Sequence, residues 1–103
     1  MNRAYYSAPI HEFLQNDKSL ILGELTLHHH FALEDLQKNA WISQIEILKS
    51  ILSPISDSYL AFEYAIPRMG KRVDTIILHE GIVFVVEFKV GGDSDTSAAL
   101  EQV

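Results

Sequence analysis

The feature that most constrains this chain is a pair of apolar, β-branched runs, Arg72 to His79 and Ile82 to Val90, joined by Glu80-Gly81. Two such runs about a short glycine-containing turn predict a β-hairpin. A two-residue turn also fixes the register. His79 then faces Ile82, Leu78 faces Val83, Ile76 faces Val85, Asp74 faces Glu87 and Arg72 faces Lys89. Because side chains alternate, these pairs share one face of the sheet. Ile77 with Phe84, Thr75 with Val86 and Val73 with Phe88 share the other. Near the turn both faces are apolar, the pattern of central strands covered on each side.

At the far end of one face the apolar pairs give way to Asp74, Glu87, Arg72 and Lys89. Two carboxylates directly opposite one another, about 5 Å apart at Cβ, repel and destabilise their pair. A divalent cation turns that repulsion into coordination, because Mg²⁺ and Mn²⁺ prefer carboxylate oxygens. The plainer reading is a charge cluster in which Arg72 and Lys89 neutralise the acids. A turn shifted by one residue would part all four.

The rest of the chain supplies partners for this hairpin. From Leu33 to Leu52 the apolar residues Leu33, Leu36, Ala40, Trp41, Ile45, Ile47, Leu48, Ile51 and Leu52 fall on one broad helical face, with Lys38, Asn39, Glu46 and Lys49 opposite. Ser53-Pro54 ends that helix. Tyr59 to Ile66 reads as a strand, and Pro67 to Lys71 as its exit turn. After the hairpin, Gly91 to Asp95 reads as a loop, and Asp95 or Thr96 is placed to cap a final helix starting at Ser97. Residues 1–32 are the least legible, beyond a short helix through Leu20 and Leu25 capped by Asp17.

One domain of 103 residues is the expectation, with its core in 33–103, cut off inside its last element. The net charge of −6 argues against an extensively basic surface, while leaving room for a local basic site. The absence of cysteine excludes disulfides and thiolate metal sites. No run is long and apolar enough for a membrane span, and Met1 to Asp17 does not read as a secretory signal, so a cytoplasmic location is expected.

Arg72-Val-Asp74, followed after twelve residues by Glu87-Phe-Lys89, resembles the D…(D/E)-x-K signature of the PD-(D/E)xK nuclease superfamily. The order helix, three strands, helix resembles that superfamily's restriction-endonuclease-like core. The longer run from Phe62 to Gly91 is similar to an N-terminal nuclease-like region that precedes a P-loop, helicase-like ATPase in some bacterial proteins. The similarity covers the second half of the chain well and the N-terminal third only vaguely. The resemblance implies a truncated α/β fold of that type: a helix, a three-stranded mixed or antiparallel sheet, and the start of a second helix. It implies a metal-dependent nucleic-acid phosphodiesterase, with DNA the expected substrate. Asp74, Glu87 and the Phe88 carbonyl would hold Mg²⁺ or Mn²⁺, and Lys89 would orient the attacking water and steady the developing charge.

Members of the superfamily often add a polar residue from the first core helix. Gln44 is the candidate here, since it lies within the apolar face, and its alternative is a buried amide bonded to backbone. Glu46 is chemically apt but falls on the solvent side. Glu63, which alternation sets on one face of its strand with Tyr59, Ala61 and Ala65 and able to point at the same site, is a further candidate. Arg68, Lys71 and Arg72 form the basic cluster suited to phosphate contact, or else are solvated turn charges. Consecutive His28, His29 and His30 do not converge on one ion and read as surface or core-edge residues. No Walker-type phosphate loop occurs, so an ATPase would lie C-terminal to Val103. The principal rival is a silent nuclease-like module for docking or oligomerisation. A homodimer through an exposed sheet edge is a reasonable expectation of either.

Overall fold

The structure, a computed structural model, describes residues 3–28, 35–90 and 96–102, with side chains described for 3–28 and 37–88. In chain order the elements are β1 (Tyr6–Pro9), α1 (Ile10–Gln15), α2 (Lys18–Leu27), α3 (Asp35–Ile51), a 3₁₀ turn (Ser53–Ile55), β2 (Tyr59–Ile66), β3 (Lys71–His79), β4 (Ile82–Val90) and β5 (Thr96–Gln102). The five strands form one sheet in the order β1-β2-β3-β4-β5, every neighbouring pair antiparallel. This is a small α/β fold.

From the turn as far as Thr75 and Val86 the hairpin has the register that its turn dictates, but the expected pairs Val73–Phe88, Asp74–Glu87 and Arg72–Lys89 are absent from the ladder. Thr75 pairs with Val86, Ile76 with Val85, Ile77 with Phe84, Leu78 with Val83 and His79 with Ile82. Glu80 and Gly81 both take positive φ, 52° and 79°, the combination of the tight turn whose twist matches its flanking strands. Ser58 Oγ bonds His79 Nδ1 and ties the entry of β2 to the hairpin end.

The core is built on one face of the sheet. Trp41, Ile45, Leu48 and Leu52 of α3 are buried together with Leu60 and Phe62 of β2, Ile77 of β3 and Val86 of β4. Tyr6 stacks on Phe62, and Phe13 meets both rings edge-on, so the N-terminal segment closes the same core. Lys49 leaves the solvent face expected for it. Its ammonium donates to the carbonyls of Phe13 (2.6 Å) and Asn16 (2.6 Å), the acceptors left over where α1 ends. Asp17 precedes α2 as expected, but its side chain makes no capping bond.

Four expectations need correction. The segment from Ser97 is strand β5, not the start of a second helix. Alanine, leucine, glutamate and glutamine favour a helix locally, yet pairing with the open edge of β4 prevails over a weak propensity. The sheet has five strands rather than three, because Tyr6–Pro9 adds an edge to β2 and Thr96–Gln102 adds one to β4. Among the described residues no helix covers the face of the hairpin away from α3. The groove there is lined, among the described residues, by strands and loops, including Tyr59, Ala61, Ile76, Leu78, Val83 and Val85. Finally, Glu63 departs from the alternation of its strand, for the reason given below. Residues 29–34 and 91–95, with His29, His30, Leu33 and the glycine loop, lie outside the described residues.

Candidate functional site

Alternation along β3 buries Val73, Thr75 and Ile77 towards α3 and leaves Asp74, Ile76 and Leu78 on the other side. Along β4, Val83 and Val85 line the open groove, whereas Phe84, Val86 and Phe88 line a cleft beside α3. Glu87 therefore belongs to the same face as Asp74, and it is exposed. The two carboxylates stand on neighbouring strands at the end remote from the Glu80-Gly81 turn.

At this end the sheet comes apart in an ordered way. The β3–β4 ladder stops at Thr75–Val86, before Asp74 and Glu87 would pair. The Asp74 carboxylate fills the vacant position, its Oδ2 accepting the Phe88 amide at 2.8 Å. In an extended strand the N–H and C=O of one residue point to the same side. The Phe88 carbonyl thus opens on the gap that holds the Asp74 carboxylate.

The β2–β3 ladder is interrupted in the same row. Phe62 pairs with Thr75 and Tyr64 with Val73, but Glu63, which would face Asp74, has φ 53° and drops out. Each displaced backbone carbonyl finds a side-chain donor. Arg72 Nη1 donates to Glu63 O at 2.6 Å, and Gln44 Nε2 approaches Asp74 O at 3.3 Å. A left-handed backbone at a bulky residue costs roughly 1–2 kcal/mol. The Glu63 side chain accepts from α3, Trp41 Nε1 donating to its Oε2 at 3.4 Å. Burial raises the Glu63 pKa above its ordinary value and the Asp74 charge adds to the rise, against the lowering effects of the Trp41 hydrogen bond and Arg72.

The other candidates divide. Gln44 is 3 % exposed and donates to Thr75 Oγ1 at 2.7 Å as well as to the Asp74 carbonyl. It touches the backbone of the site rather than its carboxylate. Arg72 is engaged by the carbonyls of Glu63 and Arg3 and lies over the Tyr5 ring at 4.3 Å. Arg68 and Lys71 are exposed in the turn and first residue leading to Asp74. Lys89 follows Glu87 on β4 with its backbone opposite Ser97, and its side chain lies outside those described. Glu46 is on the solvent side, paired with Lys18 at 2.7 Å. His28 stacks against Tyr5.

Sequence reasoning missed Arg3, Trp41 and Thr75 as neighbours of this site. Arg3 receives the Ala65 amide at 2.8 Å, and nothing in a segment so far away in sequence announces that contact. Trp41 and Thr75 read simply as core. Among the described residues no group of three or more acidic or histidine side chains converges as a cation site, and no helix is long and apolar enough to cross a membrane. No protein-family profile, curated protein or solved structure matches the chain.

Proposed function

We propose that this chain carries a metal-dependent nucleic-acid phosphodiesterase site of the PD-(D/E)xK type, centred on Asp74, Glu87 and Lys89. The observation that carries the reading is the parted ladder at Asp74. A sheet that served stability alone would continue its hydrogen bonds through this row and would not set two carboxylates at its mouth. The gap instead gathers the Asp74 carboxylate and the Phe88 backbone, with Glu87 on the adjoining residue of the same face. These are hard oxygen donors, the set that suits Mg²⁺ or Mn²⁺.

In this reading Asp74, Glu87 and the Phe88 carbonyl would hold the cation, which supplies Lewis-acid polarisation of a phosphate and a more acidic bound water. The Lys89 ammonium would orient the attacking water and offset the charge that develops on phosphorus-bound oxygens. Gln44 acts at one remove, holding the Asp74 backbone so that its carboxylate stays aimed at the gap. Arg68 and Lys71 are placed to steady the phosphates on either side of the one that reacts.

The test is cleavage of a labelled oligonucleotide in Mn²⁺ or Mg²⁺. Cleavage should fall by about 10²- to 10³-fold in Lys89→Ala, the cost of losing one charge-stabilising donor. It should be lost in Asp74→Ala. Equal cleavage by both variants and the parent chain would refute the assignment. A second reading, a docking module without catalysis, draws on the uncovered apolar sheet face and predicts no cleavage by any of the three.

A further inference from the structure

The groove on the open sheet face, about 620 Å³ in volume, is lined by Tyr59, Tyr64, Ile76, Leu78, Val83 and Val85, among others, and by no helical residue among those described. Its floor leads directly to the carboxylates. Leu78 and Ile76 run on to Asp74 along β3, and Val83 and Val85 run on to Glu87 along β4. Tyr59 is 44 % and Leu78 46 % exposed, which is unusual for side chains of central strands.

Three exposed cations gather at one end of this groove. The chain has eight Lys and Arg in a net charge of −6. Lys18 is paired with Glu46, Lys49 is bound by the α1 carbonyls, and Arg72 is held by two carbonyls. Lys38 is exposed on α3 and the Lys89 side chain lies outside those described, whereas Arg3, Arg68 and Lys71 are exposed and all three belong to the end where β3 begins and Asp74 stands. An apolar, tyrosine-bearing strip with positive charge at its reactive end complements a chain of bases strung on phosphates.

We infer that the open sheet face is the track for the substrate and that the substrate is single-stranded nucleic acid. This rests on the phosphodiesterase reading for the chemistry of the ligand, and it adds the strandedness. A duplex keeps its base faces stacked inside and offers this strip phosphates, sugars and base edges but no face to stack on. A single strand offers unstacked bases to Tyr59, Tyr64 and the aliphatic floor, as sheet surfaces with exposed aromatic side chains bind them.

Fluorescence anisotropy with a short labelled oligonucleotide, in EDTA so that no hydrolysis intervenes, tests the inference. The single strand should bind at least about tenfold more tightly than the same sequence as a duplex. Tyr59→Leu and Tyr64→Leu should each weaken single-strand binding by roughly 5- to 100-fold, the loss of one stacked base. Arg68→Ala with Lys71→Ala should lower the slope of log affinity against log salt by about 1.4, or about 0.7 per phosphate contact. Lys18→Ala, on the opposite layer, should change nothing.

Equal or tighter binding of the duplex would overturn the inference. So would indifference to both tyrosines, or self-association of the chain through this face that added oligonucleotide does not displace. Tyr59, Arg68 and Lys71 are exposed, so their variants keep the test valid even if Tyr64→Leu fails to fold. Because EDTA removes the cation from the experiment, loss of cation binding and loss of strand binding are separate results.

Discussion

Glu63 combines a left-handed backbone with a carboxyl half-buried against Trp41, opposite the charge of Asp74. Its raised pKa makes a signed prediction. Folded Glu63 keeps its proton to higher pH than unfolded Glu63. Its contribution to stability is therefore complete below the ordinary value of 4.5 and declines as pH rises through the raised folded value. Glu63→Gln, which retains an acceptor for the Trp41 indole, should be more stable than the parent chain at pH 7 and lose that advantage at pH 4. Urea denaturation at the two pH values checks this, and an advantage independent of pH would contradict it. Gln44→Leu should cost about 1–3 kcal/mol by leaving the Thr75 hydroxyl and the Asp74 carbonyl short of a donor. Gln44 was legible in the sequence as a polar side chain on an apolar helix face. Its partner Thr75 was not, because a threonine in a buried strand position is unexceptional until the helix above it is placed.

At the scale of elements, the hairpin and α3 were the legible parts. Tyr59–Ile66 and Ile82–Val90 have the bounds that their apolar runs and flanking turns define, and Asp35–Ile51 falls within the helical periodicity. The signals that failed are short or local. Tyr6–Pro9 has four residues and is a strand only because the side of β2 is open to it. Helix α1 has six residues and no side-chain cap, and its ending relies on an amine from α3. Lys49→Met should accordingly destabilise the chain by about 2 kcal/mol in chemical denaturation, despite adding apolar surface to a half-buried position. The hairpin turn can be improved. Glu80 holds φ 52° for an exposed 3.6 Å contact with His79 that is worth little. Glu80→Asn should raise stability by about 0.5–1 kcal/mol in a thermal melt, since asparagine visits this conformation readily.

On the scale of the whole molecule, a five-stranded antiparallel sheet carries its helices on one face, and among the described residues no helix covers the other face, which bears Asp74 and Glu87. The hydrophobic alternation of β3 and β4 revealed that both faces are apolar, but not that only one is covered. Alternation reports what a face prefers, and coverage depends on where the helices can reach. The same limit applies to the site. Apolar alternation and turn length place Asp74 and Glu87 in one row, whereas the breaks in that row depend on the Asp74 carboxylate taking the Phe88 amide and on Arg72 and Gln44 meeting the carbonyls of Glu63 and Asp74.

The most direct test of that site is calorimetric titration of Mn²⁺ and Mg²⁺ into the parent chain and Asp74→Ala. One cation per chain that binds the parent and is lost in a folded Asp74→Ala is the predicted result. A folded parent chain that binds neither cation, or a variant that binds as well as the parent, would contradict the account.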